Sequence, residues 1–289
     1  MDFLKRTCFC LDRHILLLFA VALPVTTLAQ EETHRQKWHR FLFNRMPAIS
    51  AYYGFTENTL NGLTQSLANP RSMELRLGGI RIEEESDGII RMKHNYFTLA
   101  NVSNEIGNKS SGNEINTDMW RFGFAWEKGY GYGSKDSQAP AIILNHSNGI
   151  HWSKLTVKGN VPVAADKELL SSYDAFRFGT KMEAGVTFRV VPLVAVTAGY
   201  ERSVIFRRHL VTQWLGSVAL EGAANWALDG FIDKIMDASP EAVPVVNFLL
   251  KNGLSYGVYQ LRKEKMNYPF DSEAPIVNDT FKVGVTFIF

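Results

Sequence analysis

The sequence predicts a mainly β protein: an antiparallel transmembrane β-barrel of eight strands, with a helical hairpin inserted before the last. Three observations lead there. Apolar and polar side chains alternate with a period of two over long stretches. The apolar rows are rich in aromatic rings, whereas the polar rows mix glycine with both signs of charge. One segment, 207–266, breaks the alternation and reads as helical.

Successive side chains of a strand point to opposite faces, so strict alternation is a strand signal that a helix cannot imitate. Over 176–189, Phe176, Phe178, Met182, Ala184, Val186 and Phe188 share one face, with Thr180 the only hydroxyl among them. Arg177, Gly179, Lys181, Glu183, Gly185, Thr187 and Arg189 share the other. Trp120, Phe122, Phe124 and Trp126 likewise oppose Arg121, Gly123, Ala125 and Glu127. Met73, Leu75 and Leu77 oppose Glu74 and Arg76. The Gly78-Gly79 pair is then expected to bulge and shift the phase, turning Ile80 and Ile82 outward. In the next strand Arg91 and Lys93 are expected to face inward, with His94 outward near a membrane boundary. Val194, Val196, Ala198 and Tyr200 oppose Thr197, Gly199 and Glu201.

Strands are expected at 48–56, 72–84, 88–101, 117–128, 140–156, 174–190, 192–206 and 279–289. Ten strands is the alternative, should 254–262 be a strand and one more lie hidden. Tight turns near Asp87-Gly88 and Pro192 alternate with long polar loops, the habit of a membrane barrel with lipid outside and a polar lumen. The inward rows carry Glu74, Arg76, Arg91, Lys93, Arg121, Glu127, Arg177, Lys181, Glu183, Arg189, Glu201 and Lys282. Bases outnumber acids there, and in so narrow a barrel such charges have to pair.

Residues 1–29 read as a secretory signal peptide: Lys5, Arg6 and Arg13, then ILLLFAVAL, then a small-residue end at Ala29. Its apolar run is about half the roughly 20 residues that span a bilayer. Residues 30–47 form a polar lead-in, and 48–289 the barrel, interrupted by the insertion at 207–266. Both cysteines, Cys8 and Cys10, fall in the leader, so the mature chain carries no disulfide and no cysteine metal site. The net charge of +2 gives no general pull toward nucleic acid. A mean hydropathy of −0.10 is too low for a bundle of membrane helices.

Within the insertion, Gln213, Ser217, Glu221, Asn225, Asp229 and Asp233 recur every four residues as a polar stripe. Ser239-Pro240 starts a second helix. Small residues at Ala219, Ala223 and Ala227, and at Gly253 and Gly257, have the spacing that lets two helices approach closely.

Residues 145–153 hold the one arrangement resembling catalytic chemistry. Ser147, His151 and Ser153 share a strand face, and Glu183 or Glu201 would supply an acid across the lumen to orient such a histidine. Polar residues are expected inside any such barrel, so this is a weak catalytic candidate. GYGYG at 129–133 lacks the Lys-Ser/Thr of a phosphate loop and reads as a flexible turn. No cofactor and no metal site are implied, and the basic strand residues are poor evidence for nucleic-acid binding.

The signal peptide, the alternating strands, the cysteine-free mature chain and the terminal FKVGVTFIF together resemble the small outer-membrane β-barrel proteins of Gram-negative bacteria. The resemblance implies an outer-membrane location, a lipid bilayer around the barrel, and a last strand read by the barrel-assembly machinery. Phe281, Val283, Val285, Phe287 and Phe289 match that assembly signal. Fold alone does not select a function within the class. The first expectation is a non-enzymatic barrel with a charge-filled lumen and a protein partner at the insertion. A small-solute, anion-leaning pore and a lipid-modifying enzyme are the alternatives.

Overall fold

The computed structural model describes residues 45–107, 114–134 and 140–289. The signal peptide and residues 30–44 of the lead-in lie outside the described residues. Eight strands follow: β1 (Met46–Leu60), β2 (Arg71–Ser86), β3 (Ile89–Ser103), β4 (Asn116–Tyr132), β5 (Ala141–Lys158), β6 (Arg177–Val191), β7 (Val194–Ile205) and β8 (Ile276–Ile288). Each pairs antiparallel with its sequence neighbour, and β8 closes on β1 in a ladder from Ala48↔Ile288 to Leu60↔Ile276. Closure leaves no open edge, the condition for a sheet to cross a bilayer. Residues 254–262 are helical, so the ten-strand alternative is not the one adopted.

Six of the strands run longer than the alternation alone indicated, while β6 and β7 are two and three residues shorter than the expected 174–190 and 192–206. GYGYG is not a turn: β4 continues to Tyr132, with Gly129 and Gly131 turned toward β5. A Cβ on Gly131 would sit 2.2 Å from the Ile142 carbonyl, so only glycine fits there. The bulge expected at Gly78-Gly79 is also absent, since Gly78↔Tyr96, Gly79↔Asn95 and Ile80↔His94 pair without a shift. The register slips instead between Glu84 and Ser86, beside the turn where Gly88 takes a φ of +72°. An unbroken phase sends Ile80 and Ile82 inward.

Short connections at β2–β3 and β6–β7 mark one rim. The other rim carries the connections 61–70, 104–115, 159–176 and 206–275. Loop 159–176 contains a short helix that its polar composition did not signal, α1 (Ala164–Ser171). The last connection holds α2 (Val211–Ala238), a 3-10 turn (Pro240–Ala242) and α3 (Val243–Glu264).

The lumen is filled in three layers. At the short-turn rim Ala48, Ile80, Ile82, Ile90, Met92, Ala141, Ile143 and Ile288 form an apolar plug. At the long-loop rim Leu60, Val102, Met119, Leu155, Ile205 and Ile276 pack with Leu67, Ile115, Leu170 and Tyr173 from the loops. Between them lies a charged waist. The outside is inverted relative to a soluble protein: Tyr53, Phe55, Leu75, Leu77, Trp120, Phe124, Trp126 and Phe281 are exposed. A patch of that extent marks a lipid-facing surface.

Candidate functional site

The waist is built where the polar rows of β2, β4, β6, β7 and β8 converge. Arg76 on β2 is its hub. Its Nε donates to Glu74 at 3.0 Å, one Nη donates to Glu183 at 2.6 Å, and Glu127 lies 3.9 Å from the other. The guanidinium also lies over the rings of Tyr52 (3.9 Å) and Tyr96 (4.6 Å), and the Lys282 and Lys181 ammoniums lie over the same two rings at 5.5 Å each. Lys282 on β8 reaches Glu74 at 2.6 Å, Glu183 at 2.9 Å and Glu201 at 2.5 Å. Lys181 adds Glu74 at 3.0 Å and Glu201 at 3.5 Å, and Arg121 meets Glu201 at 2.7 Å. Thr98 donates to Glu74 at 2.8 Å.

The result is a continuous network of four bases (Arg76, Arg121, Lys181, Lys282) and four acids (Glu74, Glu127, Glu183, Glu201), all buried. Burying an ion costs several kcal/mol, which only multiple close partners offset. Here each central carboxylate has at least two cationic partners or one partner plus a hydrogen bond. Glycines make the room: a Cβ on Gly284 would stand 2.3 Å from the Tyr52 ring, and one on Gly199 2.8 Å from the Glu183 carboxylate.

Not every expected lumen charge is in this network. Arg91 and Lys93 face outward, where both bind Glu83, at 2.9 and 3.1 Å, and Arg91 also meets Glu85 at 2.7 Å. His94 takes the inward place and sits 3.4 Å from Glu127. The physical reason is the unbroken register at Gly78-Gly79. Once Ile80 points inward, its partner His94 does too, and Arg91 and Lys93 fall on the opposite face. Arg177 and Arg189 are inward but near the rims, donating to the Ser172 and Ser134 carbonyls. The waist is therefore charge-balanced, and what remains of the inward excess of bases, Arg177 and Arg189, lies outside it near the rims.

The catalytic candidates are all in the lumen but do not form a triad. His151 Nδ1 pairs with Ser153 Oγ at 2.9 Å, while Tyr96 donates to Ser147 at 3.5 Å. Glu183 is held by Arg76 and Lys282. His151 is fully buried, with no exposed surface. Among the described residues no group of His, Cys, Asp or Glu could hold a metal ion. Phe281, Val283, Val285 and Phe287 line the outward face of β8; Phe289 follows it.

The aromatic partners of the network, Tyr52 and Tyr96, were the residues the sequence reading missed. Their signal was present: Tyr52 stays in phase with Ser50, Gly54 and Thr56 on the polar row of β1.

A closed eight-stranded barrel with an apolar aromatic exterior and a charged interior is a transmembrane barrel of the outer-membrane type. Among solved structures the chain is similar to Neisserial surface protein A, with a TM-score of 0.39 and 10% identity, over 84% of this chain and 97% of that one. It is similar also to Ail, the attachment invasion locus protein of Yersinia pestis (TM-score 0.33, 10% identity, 85% and 99% covered). OprG of Pseudomonas aeruginosa gives a TM-score of 0.30 at 8% identity, over 85% and 97%. No protein-family model and no curated protein sequence matches the chain.

Proposed function

We propose that the protein is a closed, non-enzymatic barrel of a Gram-negative outer membrane, exported behind a cleaved signal peptide, with a structural or binding role. The observation that carries this reading is the balanced ion-pair waist held between two apolar layers. A lumen cavity beside it, lined by Tyr52, His94, Glu127, Thr187 and Thr197 among others, has a volume of about 20 Å³. That is room for about one water. Charges tied to one another across the lumen leave no hydrated file for an ion to follow. The waist itself, with four bases and four acids, gives no preference for anions. The two further inward bases, Arg177 and Arg189, lie near the rims on backbone carbonyls. A reaction at His151 would need a substrate to pass an apolar layer and displace Arg76 or Lys282 from Glu183.

The outward row of Phe281, Val283, Val285 and Phe287 on β8 is the segment we assign to recognition by the barrel-assembly machinery. Refolded protein in planar bilayers tests the closed lumen. The expected record shows no steady open level, and a reproducible open level would overturn the reading.

A further inference from the structure

The helical insertion leaves the long-loop rim at Ile205 and returns to it at Ile276, yet it does not stand above that rim. Tyr132, at the short-turn end of β4, donates to the Glu241 carbonyl between the helices at 2.8 Å. Asn252 of α3 reaches the Asn145 carbonyl of β5 at 3.5 Å. Near the long-loop rim Tyr259 donates to Asp279 of β8 at 2.7 Å, and Trp214 of α2 packs edge-on against Phe178 of β6, centroids 5.0 Å apart. The hairpin therefore runs down the outer wall over the full height of the barrel, across β4 to β7.

Its polarity is reversed relative to a water-soluble hairpin. Beyond Val243 and Pro244 at its start, the buried side chains of α3 are Asn247, Lys251, Ser255, Tyr259 and Arg262. Val245, Leu249, Gly253, Tyr256, Gly257 and Leu261 are exposed, with exposed Gln260 and Glu264 only in the last two turns. Lys251 is held by Asp229 of α2 at 2.7 Å and by the Asn225 carbonyl at 2.8 Å. Arg262 is held by Glu221 at 3.0 Å and Ser217 at 3.1 Å. The polar stripe of α2 thus faces α3, and the small-residue row Ala219, Ala223 and Ala227 lies exposed instead of between the helices.

We infer that the hairpin lies in the bilayer, its outer face covered by lipid acyl chains, so that the membrane perimeter is part sheet and part helix. Three observations support lipid as the occupant. From 211 to 231 every exposed residue of α2 is apolar or small except Thr212 at its start and Asp229, which Lys251 binds. That stretch rises about 30 Å at roughly 1.5 Å per residue, the thickness of a hydrocarbon core. Exposed charge returns only with Asp233, Lys234 and Asp237, at the short-turn end. The apolar face also continues the exposed aromatic belt of the bare wall. Finally, the wall beneath α3 carries polar outward residues on β5 and β6, His146 and Thr180, both buried, which would face hydrocarbon if the hairpin left. No described helix is long and apolar enough to cross a membrane. The reason is the inward polar stripe, so the hairpin enters the bilayer only docked on the barrel.

This inference rests on the transmembrane reading of the barrel, and the experiment separates the two. In a full-length Cys8→Ser/Cys10→Ser background, spin labels go at Leu220→Cys and Phe231→Cys on α2, at Phe281→Cys on the bare wall, and at Asp237→Cys. The protein is refolded into phosphatidylcholine vesicles and collision rates with oxygen and with a nickel chelate are measured. The expected result is oxygen-dominated collision at 220, 231 and 281, and nickel-dominated collision at 237, with ratios differing several-fold. Nickel access at 220 and 231 with oxygen access at 281 would overturn the hairpin inference and leave the barrel standing. Nickel access at all sites would overturn the barrel as well. Shielding of 220 and 231 from both reagents would mean a second copy or another protein covers the face, and would overturn lipid as the occupant.

Discussion

Lys282 shows how much a single inward lysine can organise. It touches three of the four central glutamates, and its own side chain is 1% exposed. Replacing it with an apolar residue of similar length leaves Glu74, Glu183 and Glu201 to share the remaining bases. Breaking a buried pair by removing one partner costs about 3–5 kcal/mol, because the abandoned charge stays buried. Lys282→Met should lower the stability in lipid vesicles by that amount, read as the shift in the urea unfolding midpoint followed by tryptophan fluorescence. Adding Glu201→Gln should return part of the loss, since the two residues are in contact and their effects do not add. A single variant that unfolds within about 1 kcal/mol of the parent, the range of an exposed pair, would argue against the network as described.

At the scale of elements, the long-loop rim is closed by hydrogen bonds between loops. Asp166, in the first turn of α1, accepts the backbone N–H of Thr64 at 3.0 Å and of Gln65 at 3.1 Å. The neighbouring loop is joined to the next by Ala68 N–H to the Ile115 carbonyl, 3.0 Å. The Thr64 amide holds the Asp166 carboxyl below the ordinary carboxylate range. A depressed value in the folded state means that the stabilisation is fully present above the unfolded value of about 3.9 and disappears as pH falls through the folded one. Amide exchange at Thr64 and Gln65, corrected for its intrinsic pH dependence, should therefore lose protection below about pH 4. Asp166→Asn should show weaker protection at neutral pH and little further change on acidification. Equal protection in both proteins at pH 7 would rule out Asp166 as the clasp.

The molecule as a whole is a closed hydrogen-bonded cylinder with a filled centre, and it should resist dodecyl sulfate until heated. Unboiled refolded protein should therefore migrate differently from boiled protein on a detergent gel, the native band persisting until a sharp temperature. Identical migration at all temperatures would contradict a closed barrel. Lys282→Met should lower that transition temperature, which ties the gel to the waist. Exchange protection should also be graded, highest in the strand ladders around the waist and lower in the loops of the long-loop rim.

The sequence by itself determined the class. Period-two alternation is local, and aromatic rings opposite glycine and charge state which face meets lipid, so eight strands, their order and most inward residues were legible. The helical character of 207–266 was legible for the same reason. What the tertiary structure alone decided were the quantities that depend on register and docking. The Gly78-Gly79 pair could be read as a bulge, but its pairing with Asn95 and Tyr96 keeps the phase and reverses Arg91, Lys93 and His94. That reversal removes two of the eight expected inward bases, and two more, Arg177 and Arg189, stay inward but outside the waist, near the rims. GYGYG looked like a turn because glycine is a turn residue, yet close approach of β5 is what requires it. The stripe on α2 was visible, but whether it faced water or another helix depended on Lys251 and Arg262, more than twenty residues away in sequence and settled only when the hairpin closed on the wall.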